Sequence, residues 1–274
     1  MATVAQPRVD TSPRPDRLSG TPRAHALDRW IYVITAASFI AIVLAGFIPN
    51  SLYQIAAIEA GRRPPFPLAT HAHAVLMGSF LLLLLAQTTL VATGRSALHQ
   101  KLGLASLVIA PAIVVVGFIL VPTNYYGVWG GANFGPPEVR AQLREVQSIL
   151  DNIMLLQFRI GILFPLFLWI GLRARGKDDG LHKRMMILAT AVALPAGIDR
   201  IPWLPTTMPF SPVGPDFWTI VAVSPMFLWD VIRNRYVHRA WWIWLGIFAV
   251  VAVPVHMLWD TPWWHATARM LMGV

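Results

Sequence analysis

Long apolar runs constrain this chain before anything else does. Those near Trp30 to Ile48, Leu68 to Val91, Leu102 to Val121, Ile149 to Leu172 and Trp241 to Val253 each approach or exceed what a bilayer core requires, which is roughly 20 residues at helical rise. Two further runs are poorer. Met185 to Leu204 is interrupted by Pro195, Asp199 and Arg200, and Phe217 to Ile232 carries Pro225 and Asp230. Both read as spans, the second on weaker composition. With 56% hydrophobic and 13% charged residues, the chain is too apolar for an ordinary soluble domain, where about 25% charged is usual. The expected fold is an all-α polytopic membrane helix bundle with about seven transmembrane helices.

A net charge of +9 would suit nucleic acid or an anionic surface if the basic residues formed one patch. They sort by loop instead, so nucleic acid is not an expected partner. Under the seven-span reading, fifteen Lys and Arg fall on one side: the five between Arg8 and Arg29, then Arg95, Lys101, Arg173, Arg175, Lys177, Lys183, Arg184, Arg233, Arg235 and Arg239. Six fall on the other, namely Arg62, Arg63, Arg140, Arg144, Arg200 and Arg269, with Arg159 inside a span. That bias places the N-terminus in the cytoplasm and the C-terminus outside, as a multi-pass protein of a bacterial inner membrane. It also supports the sixth span, without which Arg233, Arg235 and Arg239 would move to the outer face. Residues 1–28, rich in Pro, Arg, Ser and Thr, read as a disordered cytoplasmic tail. Residues 29–260 form the transmembrane domain, and 261–274, opening with Trp263, Trp264 and His265, form an outer interfacial segment. There are no cysteines, which removes disulfides, iron–sulfur clusters and thiolate metal sites.

The inner turns repeat. Gly94-Arg95-Ser96-Ala97-Leu98-His99-Gln100-Lys101 resembles Gly176-Lys177-Asp178-Asp179-Gly180-Leu181-His182-Lys183, and Arg235-Tyr236-Val237-His238-Arg239 follows the same plan. Each turn presents an aliphatic residue and then a histidine as the next outward span begins. The bundle therefore reads as one lead helix plus three hairpins. The longest outer connection, about Pro122 to Val146, reads as a Gly- and aromatic-rich loop ending in a polar helical stretch from Glu138 to Gln147.

Ionisable residues inside a span are functional candidates because they are costly there. Arg159 lies in span four and Asp199 near the outer end of span five, where an ion pair would either lock two helices or clamp an anionic group such as a cofactor propionate. His71 and His73 open span two, but two positions on a helix are about 200° apart, so His73 is the better inward candidate, with Met77 on the same face. His256 lies at comparable depth on span seven. Imidazoles from two helices at one depth suit axial ligation of haem b, or a histidine-ligated transition metal such as copper or zinc. Asp151 could orient such a histidine. On the inner side His99, His182 and His238 recur at one depth: three converging would hold a metal, two a haem. A histidine beside Lys or Arg at the headgroup boundary is also an ordinary helix anchor.

His73-Ala74-Val75-Leu76-Met77-Gly78, Arg95, His99 with Leu102-Gly103, and His182-Lys183-Arg184-Met185-Met186 together resemble uncharacterised bacterial polytopic membrane families marked by histidines at helix ends. More distantly the chain is similar to the membrane domains of b-type cytochromes. That resemblance implies haem between histidines on successive helices, yet span four offers Gln157 and Arg159 in place of a histidine. The implied pairings become His256 for His73 or His182 for His99. The leading expectation is electron transfer through haem b or a histidine-ligated metal, with quinone or a respiratory complex as partner beside the lipid bilayer. The alternative is a non-catalytic membrane protein, a small-solute permease or a respiratory-complex assembly factor, with no cofactor. An intramembrane metal hydrolase would need a carboxylate beside a histidine pair. Candidate ligands are His73, His99, His182 and His256, with Arg159 as a cofactor contact.

Overall fold

The computed structural model describes residues 25–274, and the expected tail, residues 1–28, lies almost wholly outside them. The described residues form ten α-helices and no strand. They are α1 (Leu27–Glu59), α2 (Leu68–Ala92), α3 (Ser96–Gly103), α4 (Ser106–Phe134), α5 (Pro137–Ala174), α6 (Asp179–Ala191), α7 (Pro195–Ile198), α8 (Val213–Asn234), α9 (Arg239–Leu258) and α10 (Pro262–Met272). Five stretches are long and apolar enough to cross a membrane: α1, α2, α3 with α4, α5 and α9.

The two poorer runs differ from these for separate reasons. The helix beginning at Asp179 ends at Ala191, and a turn over residues 192–194 precedes four-residue α7. Pro195 heads α7, and a proline has no amide hydrogen to continue the preceding helix. Helix α8 is unbroken for 22 residues, but it carries Asp216, Asp230 and Arg233.

Packing explains why α6 tolerates a modest apolar content. Met185, Ile187, Leu188, Ala189 and Ala191 are all fully buried, because α6 lies among α5, α9, α1 and α8. A helix enclosed by other helices is buried on every face and has no lipid to match. Phe39, Phe167, Met185, Leu188, Met226 and Trp244 form the centre of the main core. A second cluster at the other end joins Tyr125, Met154, Val255, Trp259 and Trp264.

The expected outer loop is a correction. Helix α4 continues through Tyr125, Trp129 and Gly131 to Phe134, and only Gly135-Pro136 separates it from α5. Glycines at 127, 130 and 131 argue against helix locally, but long-range packing overrides them: Tyr125 and Ala132 are buried, and a Cβ at Gly131 would stand 2.6 Å from Leu143 on α5. At 38 residues, α5 is about 57 Å long, well beyond a hydrocarbon core of about 30 Å. Its first turns and the end of α4 form a helical hairpin, on whose α5 arm α10 packs.

Candidate functional site

Two of the repeated turns bring their histidines together. Helix α3 starts directly after the Gly94-Arg95 turn, with Gly94 in the left-handed region at φ 76°. Helix α6 starts after Gly176, at φ 70°, where the Asp178 carboxylate accepts the Leu181 N–H at 2.8 Å as N-cap. Both turns fold each histidine back onto the helix before it. His99 Nδ1 faces the Gln87 carbonyl at 3.3 Å, and His182 Nδ1 faces the Gly171 carbonyl at 2.8 Å. A carbonyl only accepts, so Nδ1 carries a hydrogen in both rings, and in the neutral ring Nε2 is then the lone-pair nitrogen. Neither Nε2 has a protein partner among the described residues. The ring centroids are 6.4 Å apart at an interplanar angle of 77°.

The two rings meet edge to face. Two metal–nitrogen bonds of about 2 Å, together with the reach from each nitrogen to its ring centre, separate the centroids by roughly 6 Å. Beside the pair, both side-chain amide atoms of Gln87 are buried without a partner, a state that native interiors seldom leave unfilled. An open apolar groove of about 440 Å³ runs between α2 and α3, with Leu85, Ala86, Leu98 and Leu102 in its walls. No group of three or more metal-ligating side chains occurs among the described residues. A metal held between these two rings would take two protein ligands from this pair. His238 does not join the pair. It is the N-cap of α9, its Nδ1 accepting the Ala240 N–H at 3.1 Å.

At the opposite end of the bundle, Arg159 is fully buried on α5. Its partner is not Asp199, which instead accepts the Thr206 hydroxyl at 3.0 Å. Arg159 forks onto Asp216 of α8 at 2.7 and 2.5 Å, because the first turn of α8 enters the bundle opposite α5, while Asp199 follows α7 into the exposed loop. His256 Nε2 lies 2.9 Å from the same carboxylate, and the guanidinium sits 5.0 Å over the Phe248 ring. Arg159 Nε has no partner. The outer pairing of His73 with His256 finds no counterpart in these contacts. His256 turns to Asp216, and His73 keeps Nδ1 buried and unpartnered on α2, which packs chiefly on α1 and α4.

Asp151 does orient a histidine, though none of the candidate ligands. Fully buried on α5, it accepts the Tyr125 hydroxyl at 2.8 Å and meets His265 Nδ1 at 3.0 Å. His265 Nε2 lies 3.1 Å from Asp260, which also accepts from Asn152 at 3.2 Å. The hydrogen bonds from His265 and Asn152 hold the Asp260 carboxyl below the usual carboxylate value. These contacts fasten α10 to α5.

Several ion pairs escaped the sequence reading, two of them on α8. Arg184 and Asp230, both fully buried, join α6 to α8, and Trp241 Nε1 donates to the same carboxylate at 2.8 Å. Arg233 binds Asp28 at 2.7 Å, with Trp229 Nε1 donating to it at 3.0 Å. Asp230 was visible as a blemish in an apolar run, but nothing local identifies the arginine that meets it 46 residues away.

Comparison with known proteins finds no matching family, no matching curated relative and no matching solved structure. The class rests on the structure itself: an all-α bundle with several helices apolar and long enough for a multi-pass membrane protein.

Proposed function

We propose that this chain is a bacterial inner-membrane protein that holds haem b, or a single transition-metal ion, between His99 and His182 and takes part in electron transfer. One observation carries the reading: two histidines from equivalent turns stand 6.4 Å apart, each oriented through Nδ1 by a backbone carbonyl and each with a free Nε2. Carbonyl-oriented rings are the usual second shell of metal-ligating histidine. Gln87, whose backbone carbonyl orients His99, also keeps both side-chain amide atoms buried without a partner. Haem b, when bound by two imidazoles, supplies a one-electron carrier. The chain's own backbone carbonyls at Gln87 and Gly171 orient the rings.

The bundle crosses the membrane seven times in this reading, with α6–α7 and α8 added to the five apolar crossings. Support comes from the buried charges of α8: Asp216 and Asp230 are each matched by an arginine from α5 or α6, so neither is presented to lipid. The positive-inside count then puts the histidine pair on the cytoplasmic side and Arg159 on the outer side.

A reduced-minus-oxidised visible spectrum and metal analysis test the site on protein purified from haem-sufficient cells. A sharp reduced α-band, lost in His99→Ala and His182→Ala but kept in His73→Ala, is the expected result. A folded, colourless and metal-free protein overturns it and brings forward the second reading, a permease or assembly factor in which these histidines are anchors at the headgroup boundary. That reading draws on the same Nδ1 contacts, which also satisfy a histidine at a helix start.

A further inference from the structure

Leu82, Leu85, Ala86 and Thr89 line one side of the groove between α2 and α3, and Leu98 and Leu102 line the other. Spacings of three and four put each set on a single helix face. Thr89 is the one polar residue among these six, and its hydroxyl is spent on the Leu85 carbonyl at 2.7 Å. The groove therefore offers hydrocarbon to whatever fills it. It opens sideways from the bundle, where Leu82 and Leu98 are 62% and 49% exposed. Both belong to stretches long and apolar enough to cross a membrane, so the medium at that opening is lipid.

Charge of one sign stands at the end of the groove. Arg95 lies three residues before Leu98 and Lys101 three residues after it, on the face of α3 that lines the groove. Both are exposed, and neither has a carboxylate partner among the described residues. The repeated turn after α5 is built differently. It carries its own acids, Asp178 and Asp179, and Asp178 binds Arg239. In the first turn Ser96 and Ala97 follow the basic residue instead, and no acidic residue occurs between Glu59 and Glu138. Helices α2, α3 and α4 thus have no anion of their own to set against Arg95 and Lys101.

We infer that the groove is a site for one anionic diacyl phospholipid, an acyl chain lying between the α2 and α3 walls and the phosphate headgroup meeting Arg95 and Lys101. Each half of the molecule answers a separate observation. The apolar walls take the chain, and the unmatched cations at headgroup depth select the charge, as basic positions between membrane helices do. A zwitterionic headgroup carries its own compensating cation and gains less. The site goes beyond the electron-transfer reading and is independent of haem. It requires only that α2 and the α3–α4 stretch cross the bilayer.

Native mass spectrometry of the full chain, delipidated in mild detergent, tests the site with dioleoyl phosphatidylglycerol and dioleoyl phosphatidylcholine titrated separately. The expected result is one retained phosphatidylglycerol at a concentration about tenfold below that needed for phosphatidylcholine, the scale of two cations acting on one anionic headgroup. Arg95→Gln combined with Lys101→Gln removes the preference and leaves phosphatidylcholine retention as it was. Ala86→Phe, which sets a ring where the groove is lined by a methyl group, weakens retention of both lipids. Arg62→Gln combined with Arg63→Gln takes the same charge from another loop and leaves the preference unchanged. All variants are compared at the wild-type elution position in size exclusion, and the altered side chains at 95 and 101 are exposed ones. Equal retention of the two lipids, a preference that survives loss of Arg95 and Lys101, or one lost equally with Arg62 and Arg63 overturns the inference. So does unchanged retention in Ala86→Phe, which would leave a headgroup contact with no chain in the groove.

Discussion

At the scale of single residues, the buried ion pairs set the clearest expectations. Asp230→Ala strands the Arg184 guanidinium in a fully enclosed site, a loss of about 3–5 kcal/mol for a broken buried pair. We expect a sharp fall in monodisperse yield and thermal midpoint in detergent. Arg184→Met combined with Asp230→Leu should restore only part of it, because the unpaired charge is gone but the buried Trp241 Nε1 loses its acceptor. Asp178 makes a smaller contribution with a pH signature. Burial pulls its carboxyl upward, but the Leu181 N–H and the Arg239 guanidinium outweigh this and hold it below the usual carboxylate range. The cap is therefore fully effective above the unfolded value of about 4 and fades as pH falls below it. Asp178→Ala should lower stability by about 1 kcal/mol at neutral pH, and the gap from wild type should close on acidification. A gap that persists at low pH would contradict this account. Neither the Arg184 partner nor the Arg159 partner was legible in the sequence. Asp199 was the nearer acidic neighbour in the apparent hairpin, and the choice of Asp216 depends on where α8 enters the bundle.

Among the elements, one tight contact is a crossing of two backbones. Gly46 on α1 meets Gly197 on α7, where a Cβ at Gly46 would stand 2.0 Å from the Gly197 carbonyl oxygen. Small residues allow such approach between membrane helices. Backbone cannot rotate away as a side chain can, so Gly46→Ala must displace α7 from α1. We expect lower thermal stability and faster proteolysis in the 199–212 segment, whereas Gly78→Ala, with open space around it, should behave like wild type. Element type and order along most of the chain could be read from apolar run length. Exceptions are the Met185 to Leu204 run, which breaks into α6 and α7, and the end of α4, where three glycines and several aromatics near Trp129 look like loop until α5 packs beside them. Propensity is a per-residue quantity of at most about 1 kcal/mol for glycine, and tertiary burial exceeds it.

For the whole molecule, the number of crossings decides where the 199–212 connection lies. With α6–α7 and α8 both crossing it is outside; with five crossings it is inside. The chain has no native cysteine, so Phe210→Cys, at a position 85% exposed, gives a single label site. We expect modification by an impermeant maleimide from the outer side, with Lys177→Cys modified only from the cytoplasm. Labelling of both from the cytoplasm would establish five crossings. Run length, loop charge and the repeated histidine turns are local properties, and a bilayer converts them directly into helices and an orientation because each backbone group must be satisfied within its own helix. Pairing is not local. Which arginine meets which aspartate, which two of the three turn histidines face each other and which carboxylate takes His256 depend on helix rotation and neighbour order, and those are settled only when the side chains of several helices pack at once.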